Sequence, residues 1–210
     1  MKKGIFLSLE GPDGSGKSTQ IKYIMDFLES RGYETVLTRE PGGTAIGEKI
    51  RDVILDNAHS EMDPMTETML YAASRAQHVA EVIRPALEAG KVVICDRFVD
   101  SSIAYQGFGR DLGECVAYIN EYAIMGCVPD ITFLMKIAPE EGIGRIGSGE
   151  KDRLESEKIS FHRKVYEGYE YLERTYPDRI IGIDATGSIE DIREEIQKQL
   201  EKLIEKNESR

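Results

Sequence analysis

Residues 11–18 read Gly-Pro-Asp-Gly-Ser-Gly-Lys-Ser, and they lie between the apolar run Ile5–Leu9 and a helical pattern that begins at Gly16. This is G-x-x-x-x-G-K-[ST] in the strand–loop–helix setting that a phosphate-binding loop requires. The glycines let consecutive backbone N–H groups turn toward phosphate oxygens, and the start of the following helix adds the positive end of its dipole. Lys17 supplies a point charge for β- and γ-phosphates, and Ser18 offers a hydroxyl to Mg²⁺. Gly11, Pro12, Asp13, Gly14, Ser15, Gly16, Lys17, Ser18 and Thr19 are therefore the expected ATP cradle. A surface turn accounts for the glycines but not for Lys-Ser at this offset from a strand.

Further strand-like runs follow at Thr35–Thr38, Val92–Cys95, Ile131–Ile137 and Ile180–Ile183, with helical periodicity between them. That alternation predicts an α/β domain of the P-loop NTPase type, a five-stranded parallel sheet with helices on both faces. The first helix carries Ile21, Ile24, Met25 and Leu28 on one face and stops near Gly32. A long helix is expected from Asp63 as cap and Pro64 as first residue to Gly90, with a kink at Pro85. Gly113–Met125 and Ser156–Tyr176 read as helices, and Ser188-Ile-Glu-Asp191 as a capping box opening the last one. At 210 residues the chain is read as a single domain, 1–210, with a short Gly-rich lid over about 142–153.

Net charge is 27 − 38 = −11, which argues against a nucleic-acid polymer or an anionic membrane surface as partner. A local group of arginines is still able to make a positive pocket for a small phosphorylated substrate. Cys95, Cys115 and Cys127 have neither disulfide nor zinc spacing and read as small hydrophobes in a reducing cytosol. His59, His78 and His162 likewise have no metal-ligand spacing and read as structural or solvated. Met1-Lys-Lys leads straight into the first strand, and no apolar run approaches the eighteen or so residues of a membrane span, so a soluble, cytoplasmic protein is expected.

Three further clusters bear chemistry. Val92-Val-Ile-Cys-Asp96-Arg97 is a hydrophobic strand ending in a carboxylate, where Asp96 would hold Mg²⁺ or its water shell and Arg97 would clamp phosphate. Arg39-Glu40-Pro41-Gly42-Gly43-Thr44 follows the second strand at the same edge of the sheet. Tyr71 and Arg75 are i, i+4 neighbours that can hold a flat base, one by stacking and one by hydrogen bonds.

In order, Gly-Pro-Asp-Gly-Ser-Gly-Lys-Ser, Arg-Glu-Pro-Gly-Gly-Thr, Leu-Tyr-Ala-Ala-Ser-Arg, Cys-Asp-Arg-Phe-Val-Asp-Ser-Ser-Ile-Ala-Tyr-Gln-Gly and Pro-Asp-Ile-Thr-Phe-Leu resemble the thymidylate kinases from about Ile5 to Thr186. The resemblance implies an ATP- and Mg²⁺-dependent transfer of phosphate to dTMP, giving dTDP for dTTP synthesis, in an enzyme that usually forms a homodimer. It implies that Asp13 approaches the sugar, Arg97 bridges donor and acceptor phosphates, Arg51 grips the acceptor phosphate, and Glu40 stands near metal and acceptor. It also implies that Tyr71 stacks on thymine, Arg75 hydrogen-bonds the base, Ser102 and Gln106 line its other edge, and Tyr105 crowds the 2′ position.

The chain departs from the family pattern in two places. Residues 12–15 contain no arginine, so the transition-state cation is expected from the lid, Arg145 or Arg153, with Lys151 assisting. Phe98 replaces the commoner Tyr. A different nucleoside monophosphate kinase also suits the P-loop, but not the Tyr71/Arg75/Gln106 set. A switch NTPase suits Asp184-Ala-Thr-Gly187, but no Asn-Lys-x-Asp motif accompanies it.

Overall fold

The structure is a computed structural model that describes residues 4–145 and 151–208. Five strands, β1 (Ile5–Glu10), β2 (Thr35–Arg39), β3 (Val92–Asp96), β4 (Ile131–Lys136) and β5 (Ile180–Asp184), form one parallel sheet in the order β2-β3-β1-β4-β5. The α/β architecture is the expected one. Four strands run one residue past their apolar run, to Glu10, Arg39, Asp96 and Asp184, while β4 stops one short of Ile137. Ladder bonding is a backbone property and ends where the neighbour ends: Arg39 pairs with Asp96, and Lys136 with Asp184. Charged residues thus line the carboxyl edge, where open α/β sheets bind ligands.

Alternation along β1 separates the two faces. Ile5, Leu7 and Leu9 pack against Ile21, Ile24 and Leu28 of α1 (Lys17–Ser30) and Ile196 and Leu200 of α9 (Ile189–Glu208). Phe6 turns to the opposite layer with Val79, Ile83 and Phe98, and Glu10, an even position too, shares that face.

α2 (Ala45–Leu55) begins where Thr44 Oγ1 accepts from Gly47 N at 2.9 Å. α3 (Pro64–His78) has the expected Asp63 cap, and the helical run continues without a break through a π turn at Val79–Ile83 into α4 (Arg84–Glu88). Pro85 has no N–H for the carbonyl of Glu81, and its ring pushes that carbonyl aside, so the helix widens one turn upstream of the proline. After β3 come α5 (Val99–Ser102), a π segment at Ile103–Gly109 and α6 (Cys115–Ile124), the last two residues shorter at its start than expected and one at its end. α7 (Pro139–Arg145) takes in residues 142–145, the start of the expected lid, as helix. α8 (Ile159–Thr175) begins three residues after Ser156, because Asp152 Oδ1 accepts from Leu154 N and Glu155 N and holds the preceding residues in turns. Within the expected lid, residues 146–150 lie outside the described residues.

Candidate active site

Lys17 is buried, and its Nζ donates to the carbonyls of Gly11 (3.0 Å) and Pro12 (2.9 Å). Burial and then the Arg97 charge pull its pKa down to about 8, against the pull of nearby carboxylates. Gly14 and Gly16 both have positive φ, 76° and 86°. A Cβ on Gly14 would meet the Gly142 carbonyl at 2.1 Å, so only glycine lets the loop pack on α7; a Cβ on Gly16 would meet nothing within 4 Å.

This loop forms one wall of a cleft of about 460 Å³ at the carboxyl edge of the sheet. Asp13, Gly14, Gly16, Lys17, Ser18 and Thr19 line it, whereas Gly11, Pro12 and Ser15 do not. Arg39, Glu40, Arg51, Tyr71, Arg75, Asp96, Arg97, Ser102, Tyr105, Gln106 and Arg145 complete the wall together with Asp152 and Glu155. Six cations thus face five carboxylates in a chain of net charge −11, a local excess of positive charge where anionic phosphates would sit.

Arg97 stands at the centre in a left-handed backbone conformation, φ 67°, which a long side chain adopts at a cost of order 1–3 kcal/mol. Neighbours hold it there. Its N donates to Leu9 O at 2.9 Å, Nη2 to Asp13 Oδ1 at 2.6 Å, and Nη1 to Tyr169 OH at 3.1 Å and Ser101 Oγ at 3.2 Å. The guanidinium lies 5.2 Å from the centroid of the Tyr105 ring. Underneath is Glu10, which accepts from Phe98 N (2.7 Å), Ser101 Oγ (2.5 Å) and Tyr169 OH (3.1 Å). Burial, reinforced by Asp100, pushes Glu10 up to about 7. Sequence reasoning passed over Glu10, which ends β1 one residue past its apolar run; the signal is a carboxylate at a buried even position of the strand. Asp100 is likewise buried and is held by Arg179, 2.7 Å from Asp100 Oδ2 to Nη1.

At the other end Gln106 Nε2 donates to Glu67 Oε1 at 2.8 Å, and Gln106 Oε1 is buried without a partner. Tyr71 stands nearby on α3, with burial raising its hydroxyl pKa above the usual value. Arg51 Nη1 donates to Pro41 O at 3.0 Å, and burial and then Arg39 lower its pKa.

Two expected site residues sit in arrangements that differ from their expected roles. Arg75 is 1% exposed, and its donors are all engaged by protein: Nε and Nη2 by Glu40 Oε2 (2.8 and 2.7 Å), Nη2 also by Phe98 O (3.1 Å), Nη1 by Ser102 Oγ (2.9 Å) and Asn120 Oδ1. It borders the cleft but has no free N–H for a base in this arrangement. Glu40, buried between Arg75 and His78 (Nδ1 to Oε1, 2.9 Å), and Ser102 serve the same cluster. Arg153 is not among the lining residues: it is 8% exposed and donates to Ile54 O (2.8 Å) and Glu67 Oε2 (2.7 Å), because burial beside a carboxylate holds it away from the cleft. His78 takes the structural of its two expected roles: it is fully buried, with Nε2 2.6 Å from Thr38 Oγ1.

Among the described residues no group of three or more His, Cys, Asp or Glu side chains is arranged to hold a metal unaided. Asp96 Oδ1 is buried without a partner and Ser18 lines the same cleft, which suits a cation that arrives with phosphates and keeps most of its own ligands, as Mg²⁺ does. Arg145 donates from Nη1 to Ala185 O (2.9 Å) and from Nη2 to Glu141 Oε1 (2.7 Å) at the rim.

The sequence model of the thymidylate kinase family matches residues 9–196. Thymidylate kinase of Lactobacillus helveticus is 54% identical over 207 residues, covering 96% of this chain and 98% of its own. That of Exiguobacterium sp. is 52% identical over 196 residues, covering 92% of each chain. The crystal structure of thymidylate kinase from Ehrlichia chaffeensis superposes with a TM-score of 0.76 at 31% identity, covering 94% of this chain and 99% of that one. Likeness of this degree, carried over nearly the whole of both chains, means that the chain belongs to the thymidylate kinase family.

Proposed function

We propose that this chain transfers the γ-phosphoryl group of ATP to the phosphate of dTMP by direct in-line displacement, giving ADP and dTDP. The observation that carries this reading is the cleft itself: a P-loop at one end, an aromatic side chain and an unpartnered amide carbonyl at the other, and Arg97 fixed between them. Such a site works by positioning and charge neutralisation rather than by covalent catalysis.

In this reading the loop amides and Lys17 bind the donor phosphates, Lys17 exchanging the carbonyls of Gly11 and Pro12 for phosphate oxygens. Ser18 and Asp96 would hold Mg²⁺, which supplies charge neutralisation between the phosphates. Arg51 and Arg97 grip the acceptor phosphate, and the link from Arg97 to Asp13 ties the acceptor side to the donor loop. Tyr71 stacks on the base, Gln106 Oε1 accepts its N3–H, and the Tyr105 ring fills space beside the sugar. Arg145 is the cation that lid closure would bring to the migrating group.

The homodimer reading rests on α3 and α6, which pack together and leave Met69, Tyr118 and Tyr122 exposed. Cytoplasmic placement rests on three free cysteines and on the substrates. No helix among the described residues is long and apolar enough to cross a membrane.

A coupled ADP-release assay with ATP and a panel of nucleoside monophosphates tests the activity. Expected is strong acceleration by dTMP over the no-acceptor rate; equal rates with and without dTMP would overturn the proposal.

A further inference from the structure

Glu67 is fully buried on α3 and lies outside every motif that marks the site. Its Oε1 accepts from Gln106 Nε2 at 2.8 Å and Arg110 Nε at 3.3 Å; its Oε2 accepts from Arg110 Nη2 at 3.0 Å and Arg153 Nη2 at 2.7 Å. Burial alone would raise its pKa, but the hydrogen bonds from Arg110, Gln106 and Arg153 outweigh that and keep it below the usual carboxylate value.

A carboxylate only accepts hydrogen bonds, so the carboxamide of Gln106 has no choice of orientation. Its NH₂ must face Glu67, and its carbonyl becomes the atom left over, buried and without a partner in a residue that lines the cleft. We infer that Glu67 is a specificity-determining positioning residue: by fixing the Gln106 amide it presents an acceptor to the base, selecting a pyrimidine with an N3–H, thymine or uracil, over cytosine, whose N3 is itself an acceptor. The inference rests on the reading that Gln106 meets the base edge.

The geometry gives Glu67→Gln a specific outcome. Two charged donors converge on the Oε2 position and only one, through the longer Arg110 Nε bond, on Oε1, so the new carbonyl takes the Oε2 position and the new NH₂ falls against Gln106 and Arg110 Nε. Two NH₂ groups cannot pair, so Gln106 turns its carbonyl to residue 67 and its NH₂ to the cleft. The substitution reverses the hydrogen-bond polarity offered to the base with no change of shape.

The test measures kcat/KM for dTMP, dUMP and dCMP in the full-length enzyme and in E67Q, E67D and Q106L. Expected is a fall of at least about tenfold in the dTMP/dCMP ratio for E67Q, since leaving a buried hydrogen-bonding group mismatched is what rejects a near-isostere. The dTMP/dUMP ratio, both bases carrying N3–H, should hold in E67Q, and E67D should keep the dTMP/dCMP ratio even where it loses activity. A merely structural role would lower all three substrates together. If E67Q keeps the dTMP/dCMP ratio while Q106L changes it, the inference is wrong; if Q106L leaves that ratio unchanged too, the base-edge reading fails instead. Should E67Q not fold, E67Q/R110M removes the excess cation while Arg153 still orients residue 67, and the same fall in ratio is expected. An unchanged ratio in that variant would refute the inference.

Discussion

Arg75→Ala separates two roles that its position at the cleft would otherwise blur. Removing the guanidinium strips both donors from Glu40 Oε2 and leaves Ser102 Oγ, Asn120 Oδ1 and Phe98 O short of a partner, all behind a side chain 1% exposed. Breaking a buried pair by deleting one partner costs about 3–5 kcal/mol, because a charge stays in the interior uncompensated. For a domain of this size each kcal/mol shifts the melting temperature by about 2–4 °C, so Tm should fall by roughly 6–20 °C. The loss should appear in the ligand-free enzyme by differential scanning calorimetry and be repeated as a lower urea midpoint at unchanged m-value. Arg75→Lys should recover only part of it, since one ammonium cannot replace a planar fork with five donors. A Tm within about 2 °C of the parent, together with a dTMP KM raised tenfold or more, would refute this reasoning and restore Arg75 as a reader of the base.

Lys17, held near pKa 8 by burial and Arg97, regains its charge beside phosphate, so ATP binding at about pH 8 should take up protons and weaken as pH rises further. Calorimetry in buffers of different ionisation enthalpy checks this, and equal heats in all of them would contradict it; Lys17→Ala should abolish the uptake and lower kcat by about 10² or more. For Glu10, raised by burial and then Asp100 from 4.5 to about 7, the folded state keeps a proton that the unfolded chain has released, so stability falls as pH rises through that window. The Tm of Glu10→Gln relative to the parent should therefore rise between pH 5 and pH 8, and parallel melting curves would show that Glu10 does not titrate there. Arg145→Met should cost at least roughly 10² in kcat with dTMP Kd unchanged, whereas Arg153→Met should lower Tm and leave kcat within a few fold. The reverse pattern in single-turnover rates would return the catalytic role to Arg153.

The sequence alone was enough to determine the sheet, the P-loop and the carboxyl-edge location of the site. Each is a local matter: a period of two along the strands, glycines where φ must be positive, and a lysine and a serine at set distances from a strand end. Only the tertiary structure decided what the charged letters do. Arg75 and Arg153 read as reagents in the sequence because an arginine near a motif looks available, yet packing places each against a buried carboxylate, Glu40 or Glu67, that accepts a hydrogen bond from it. Glu10 and Glu67 were silent for the converse reason: no spacing marks a carboxylate whose partners lie 91 and 39 residues away, as Ser101 and Gln106 do. Their burial, and the orientation they impose on Arg97 and Gln106, exist only once the elements carrying those partners have closed over them, since the polarity of a hydrogen bond depends on both of its ends.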